Sequence, residues 1–187
     1  MILPIYIYGH PVLRKVAQDI DPDYPELSQL IKDMWDTLAE SEGIGLAAPQ
    51  IGKSIRLVVI DLTPLAEDMP EYEDFRHVYI NPHILEYDDS EKDSQNEGCL
   101  SLPGLQERVT RPTRIRVKYQ DENFVQHEEW VEGYLARVMQ HEFDHLEGKV
   151  FTDRISAFRM QMVKSKLKAF TQGRYRCAYR TKPAPLR

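Results

Sequence analysis

The chain has 187 residues, 42% of them hydrophobic and 29% charged, with a formal net charge of −6 and two cysteines, Cys99 and Cys177. That length supports one domain burying about 70% of its unfolded surface without staples, and no apolar run approaches the roughly 18 residues of a membrane span. Two cysteines exclude a disulfide framework, and the start "MILPIYIYGHPVLRK" lacks a basic region and is cut by Gly9 and Pro11, which excludes a signal-peptide core and predicts a cytoplasmic protein.

In "PELSQLIKDMWDTLAESEG", Leu27, Leu30, Ile31, Met34 and Leu38 recur at helical spacing, with Pro25 suited to the first turn and Gly43 to the exit. Ile55 to Leu62 and His77 to Tyr87 read as strands, the second interrupted at Asn81-Pro82, with the acidic loop "EDMPEYED" between them. Cys99 falls in a short extended segment bounded by Pro103-Gly104. "RIRVKYQDENFVQHEEWV" alternates through Ile115, Val117 and Tyr119, turns at Asp121-Glu122-Asn123 and resumes extended, a hairpin pattern. "GYLARVMQHEFDHLEG" switches to helical period through Leu135, Val138, Met139 and Leu146, with Gly148 past its end. A last helix is expected from about Ser156 to Phe170, then a ragged, Pro-containing end. The expected fold is α+β: antiparallel strands packed around a central helix, plus a C-terminal helix.

The central helix carries "QHEFDHLEG". Residues i and i+4 share one helix face, so His141 and His145 can aim ring nitrogens at one metal, while Glu142, one step round, can act as general base on a water. The ordinary alternative is a polar helix face. A catalytic site needs a third protein ligand and an open position. A metzincin would supply a histidine at position 151, where this chain has Phe151. The candidates are then His10, His77, His83, His127, the carboxylates and Cys99, whose soft thiolate would suit iron(II) as well as zinc. Taken alone, without the histidines, Cys99 reads first as a small buried hydrophobe.

Three segments in order, "GIGLAAPQ" (Gly43 to Gln50), "EGCLS" (Glu97 to Ser101) and "QHEFDHLEG", resemble the three signature motifs of the peptide deformylase family. The resemblance extends to "PVLRKVA", "INP" and "LARVMQHE" and covers most of residues 1–153. It implies Cys99, His141 and His145 as metal ligands, with iron(II) as the physiological ion and zinc, nickel or cobalt as substitutes. It implies a metal-dependent amide hydrolase that removes the N-formyl group from the initiator methionine of nascent polypeptides, with Glu142 as general acid–base. The Gln50 amide and the Leu100 N–H would donate to the oxyanion. Gly43 and Gly45 would let a peptide pair with the first motif, and Ile44, Tyr134 and Val138 could wall a pocket for the methionine side chain. Asp144 and Glu97 would either orient the ligands or form surface salt bridges. The acidic loop is longer than is usual in the family, and no substrate-contacting residue is carried over near Gln106 to Arg108.

The rival readings are an HExxH-type metallopeptidase and a non-catalytic metal- or nucleic-acid-binding module. From Arg154 onward there are ten Lys/Arg and no Asp/Glu, +10 against −16 for residues 1–153. We therefore divide one catalytic domain, 1–187, into a core of about 1–153 and a basic helix and tail of about 154–187. Family resemblance implies that such a helix can dock on the ribosome; the bland reading is a solvated face. Neither membrane binding nor direct sequence-specific nucleic-acid binding is expected.

Overall fold

The computed structural model describes residues 1–186. Its elements are β1 (Ile5–Tyr6), α1 (Leu27–Glu40), β2 (Gly45–Ala47), β3 (Leu57–Asp61), β4 (Arg76–Cys99), β5 (Leu102–Gln120), β6 (Gln126–Glu132), α2 (Gly133–Leu146), α3 (Ala157–Thr171) and β7 (Thr181–Lys182). Strands β2 to β6 form an antiparallel sheet in sequence order, and β1 pairs with β7 in parallel. This is the expected α+β class.

The packing follows from the two-residue period of β3. Leu57 and Val59 point into a cluster that holds Met34 and Leu38 of α1; Val58 and Ile60 point into another that holds Met139, Phe143 and Leu146 of α2. The sheet is therefore covered on both faces, and α2 is buried along most of its length. Gly148 ends it with φ +70°, and its N–H donates to the His145 carbonyl. A Cβ there would lie 2.6 Å from the Arg14 carbonyl oxygen, so the position also admits the N-terminal segment.

Three expectations are corrected. Strand β4 does not stop near Tyr87 but runs to Cys99, and Pro103-Gly104 lies inside β5 rather than bounding the segment. Inward positions of β5 are Leu105, Glu107, Val109 and Arg111; because two are charged, the alternation does not show as alternating hydrophobicity. Among the described residues the C-terminal end is not ragged: β7 pairs with β1, and α3 buries Val163, Leu167 and Phe170 in the core. The acidic loop contains one 3₁₀ turn, Pro70–Tyr72, preceded by another at Thr63–Leu65, and the Tyr72 hydroxyl accepts from the Leu135 N–H, docking the loop on α2. No helix among the described residues is long and apolar enough to cross a membrane.

Candidate metal centre and active site

Three elements meet at one place. β4 ends at Cys99, a two-residue turn returns the chain at Leu102, and the C-terminal half of α2 brings His141 and His145 to this turn. The α2 spacing puts His141 and His145 side by side, with ring centroids 5.5 Å apart. Cys99, far off in sequence, completes the set, and the three donor atoms lie within 4.8 Å of one another. His10, His77, His83 and His127 are elsewhere: His10 accepts from the Val12 N–H, His77 packs by Phe75, His83 meets Asp19 and His127 meets Asp121.

The donor set fits a divalent ion by geometry. Cys99 Sγ and His145 Nε2 are 3.4 Å apart; tetrahedral bonds of about 2.3 Å to sulfur and 2.0–2.1 Å to nitrogen put such atoms roughly 3.5 Å apart. Electrostatics agree. Burial opposes the charged form of His141, yet hydrogen bonds with Cys99 and Glu97 and the charge of Glu142 raise its pKa well above the ordinary value. A field that draws a proton to His141 also favours a metal cation there. His145 is pushed down to about 3 by burial and by the charge of His141, which keeps its ring neutral and able to ligate.

Buried partners fix these donors. Glu97 Oε1 is 2.8 Å from His141 Nδ1, which directs Nε2 toward the other donors. Burial disfavours the ionised Glu97, but hydrogen bonds from His141 and Arg111 hold it well below the usual carboxylate range. Arg111 bridges Glu97 and Asp144, Arg137 donates to Glu97 and Asp93, and Arg154 makes two bonds to Asp144. Glu97 and Asp144 are 7% and 4% exposed, so they are not surface salt bridges. Phe151 stacks near-parallel on His141 at 6.0 Å, holding the ring by packing.

Glu142 is 4% exposed, and its pKa rises to about 7, mainly through burial. A Cβ at Gly45 would lie 2.7 Å from Glu142 Oε1, so only glycine lets the edge strand β2 pass so close to this carboxylate. Among the described residues, Glu142 Oε2 and His145 Nδ1 have no hydrogen-bond partner. Gln50 accepts from the Ala47 N–H at 3.0 Å and donates to Cys99 Sγ at 3.4 Å and Ser101 Oγ at 3.2 Å. Ile44, Gly45, Gln50, Cys99, Leu100, Tyr134, Val138, His141 and Glu142 all line one cavity of about 460 Å³, within the usual range for small-ligand sites; His145 lies behind it.

Sequence reasoning missed Arg111, Arg137, Arg154, Ser101 and Tyr179. Arg111 shares the inward face of β5 with Glu107 and Val109, where two charges out of three hide the strand's period. The partners of Arg111, 14 and 33 residues away, depend on the fold.

Known proteins share this arrangement of chain. A profile of the polypeptide deformylase family matches residues 2–161. A peptide deformylase of Christiangramia forsetii is 46% identical over 187 residues, covering 96% of this chain and 95% of its own. One of Flavobacterium johnsoniae is 46% identical over 189 residues, covering 97% and 96%. The crystal structure of peptide deformylase from Thermus thermophilus superposes with a TM-score of 0.79 at 40% identity, over 93% of this chain and 100% of that one. With a family profile over most of its length, full-length relatives and a shared fold at this identity, the chain belongs to the polypeptide deformylase family.

Proposed function

We propose that this chain hydrolyses the N-formyl amide at the initiator methionine of newly synthesised polypeptides, releasing formate and a free amine. The observation that carries the reading is a buried carboxylate, Glu142, in the same cavity as two members of a Cys/His₂ donor triangle. Cys99, His141 and His145 would hold one divalent ion, iron(II) in the cell, with zinc, nickel or cobalt able to replace it; the thiolate suits the softer choices. Such an ion supplies Lewis acidity, acidifying a water and polarising a carbonyl oxygen.

The remaining steps belong to the chain. Glu142 accepts the proton of the attacking water, and its raised pKa suits a group that must then pass that proton to the departing amine nitrogen as the C–N bond breaks. The Gln50 amide and the Leu100 N–H donate to the formyl oxygen as negative charge builds on it, an effect worth about 2.7–4 kcal/mol for one such donor. Ile44, Tyr134 and Val138 take the methionine side chain. Support for peptide pairing at Gly45 is that β2 is an edge strand, bonded to β3 on one side only within the sheet. All of this sits in one catalytic domain of 1–187, working in the cytoplasm, whose basic segment from Arg154 approaches the ribosome without reading nucleic-acid sequence.

The test is turnover of a formyl-Met peptide and its unformylated twin by anaerobically purified protein of measured metal content. Formate release from the first alone is expected. Internal cleavage of the second would establish a metallopeptidase, and activity with neither would leave a binding module.

A further inference from the structure

The turn that follows Cys99 is held on several sides. The Ser101 carbonyl accepts from the Tyr8 N–H at 2.9 Å, and Ser101 Oγ accepts from Gln50 at 3.2 Å. The Leu100 carbonyl accepts from the Tyr179 hydroxyl at 2.6 Å, across 79 residues. Tyr179 also lines the cavity that holds Cys99, His141 and Glu142. It lies beyond residue 161, where the family profile stops.

Tyr179 is held firmly enough to act as an anchor. Two residues on, β7 pairs with β1, and the flanking bonds run from the Ile5 N–H to the Arg180 carbonyl and from the Ile7 N–H to the Lys182 carbonyl, both 3.0 Å. The Cys177 thiol donates to the Tyr179 carbonyl. One short parallel pair therefore fixes the turn twice, through Tyr8 just after β1 and through Tyr179 just before β7.

We infer that Tyr179 is a positioning residue for the reaction: its hydroxyl holds Leu100 by its carbonyl and so limits rotation of the adjoining Cys99–Leu100 peptide, whose N–H faces the formyl oxygen, while its ring forms part of the substrate wall. This rests on the deformylase reading above. A hydrogen bond that only holds a donor in place acts on the charged transition state more than on the bound substrate. Its loss should therefore appear in kcat, whereas loss of the ring should appear in KM.

The test compares the metal-loaded full chain with Tyr179→Phe, Tyr179→Ala and, as a tail control, Tyr175→Phe, which removes only a bond to Thr181 Oγ1. Tyr179→Phe should lower kcat about 10-fold, less than removal of an oxyanion donor itself, with KM and metal content unchanged. Tyr179→Ala should raise KM as well, and Tyr175→Phe should behave as the parent. Amide hydrogen exchange gives a readout independent of turnover: in Tyr179→Phe it should quicken in residues 99–102 while residues 5–7 stay protected. Parental kcat and exchange in Tyr179→Phe would overturn the proposal. So would a kcat loss without faster exchange at 99–102, or an equal loss in Tyr175→Phe. If the parent itself does not turn over formyl-Met peptide, the functional reading fails, while the exchange result still decides whether Tyr179 holds the turn.

Discussion

Glu142 has one oxygen against the backbone of Gly45 and the other without a partner, in a place that water scarcely reaches. Such a carboxylate is costly to bury, a cost that the proposed proton-transfer role would explain. Glu142→Ala should lower kcat on a formyl-Met peptide by about 10²–10⁴-fold while metal stoichiometry stays at the parental level. Loss of metal in parallel with activity would show a structural role instead. Arg111 poses the opposite case, a buried cation shared by two buried anions. Arg111→Met should cost about 3–5 kcal/mol, because it leaves Glu97 and Asp144 with fewer partners in a medium that cannot solvate them. It should also weaken metal binding about 10–100-fold by freeing the His141 ring, measurable by competition with a chelator. Both histidines and Glu142 were legible from spacing, because helix geometry alone brings i and i+4 together. Arg111 was not, because its partners are joined to it only by the fold.

Among the elements, β2 and α2 meet at Gly45, where the strand backbone lies against the Glu142 side chain. Gly45→Ala should displace that carboxylate and reduce kcat at least 10-fold with little change in Tm, the smallest addition that separates activity from folding. A parental rate would show that the contact yields freely. Elsewhere α3 is tied to β5 by Arg159, whose guanidinium makes two bonds to Glu107, a residue only 6% exposed. These bonds hold the Glu107 carboxyl below its usual range. A depressed folded pKa adds stability above the ordinary value of about 4.5, and that stability is lost as pH falls through the folded value. Thermal melts should therefore show parent and Arg159→Gln converging from pH 7 toward pH 3, the parent losing more. A gap that stays constant would mean that Glu107 does not drive it. Helices α1 and α2 were readable from apolar period; α3 stands where expected, though its apolar residues Phe158 and Met162 are exposed and only Val163, Leu167 and Phe170 are buried. The distal half of the β4–β5 hairpin was not, since Glu107 and Arg111 take inward places usually held by aliphatic side chains.

On the scale of the whole molecule, the basic C-terminal segment is built into the body as well as carrying charge outward. Val163, Leu167 and Phe170 are buried while Lys164, Lys166 and Lys168 face solvent, so truncation after Ser156 would damage the core. Charge reversal at Lys164 and Lys168 is the cleaner variant, since Lys166 donates to the Gly104 carbonyl at the cavity. It should weaken co-sedimentation with ribosomes, with a shallower dependence on salt than the parent, and leave hydrolysis of a short formyl-Met peptide intact. Equal pelleting at every salt concentration would remove the ribosome from this chain's proposed partners.

The sequence by itself determined the α+β class, the three helices, the edges of the acidic loop and two of the three candidate metal-donor positions, because each is a matter of local period or of residues one helical turn apart. Family resemblance, carried by three short motifs, singled out the thiol. Only the tertiary structure decided that Cys99 lies beside both imidazoles, that a network of arginines neutralises the carboxylates behind them, and that the far C-terminal end returns to pin the turn at Leu100. Those contacts join residues up to 79 positions apart, and a distance of that kind is set by which faces of sheet and helix must be buried together, not by any pattern a local stretch of chain can display.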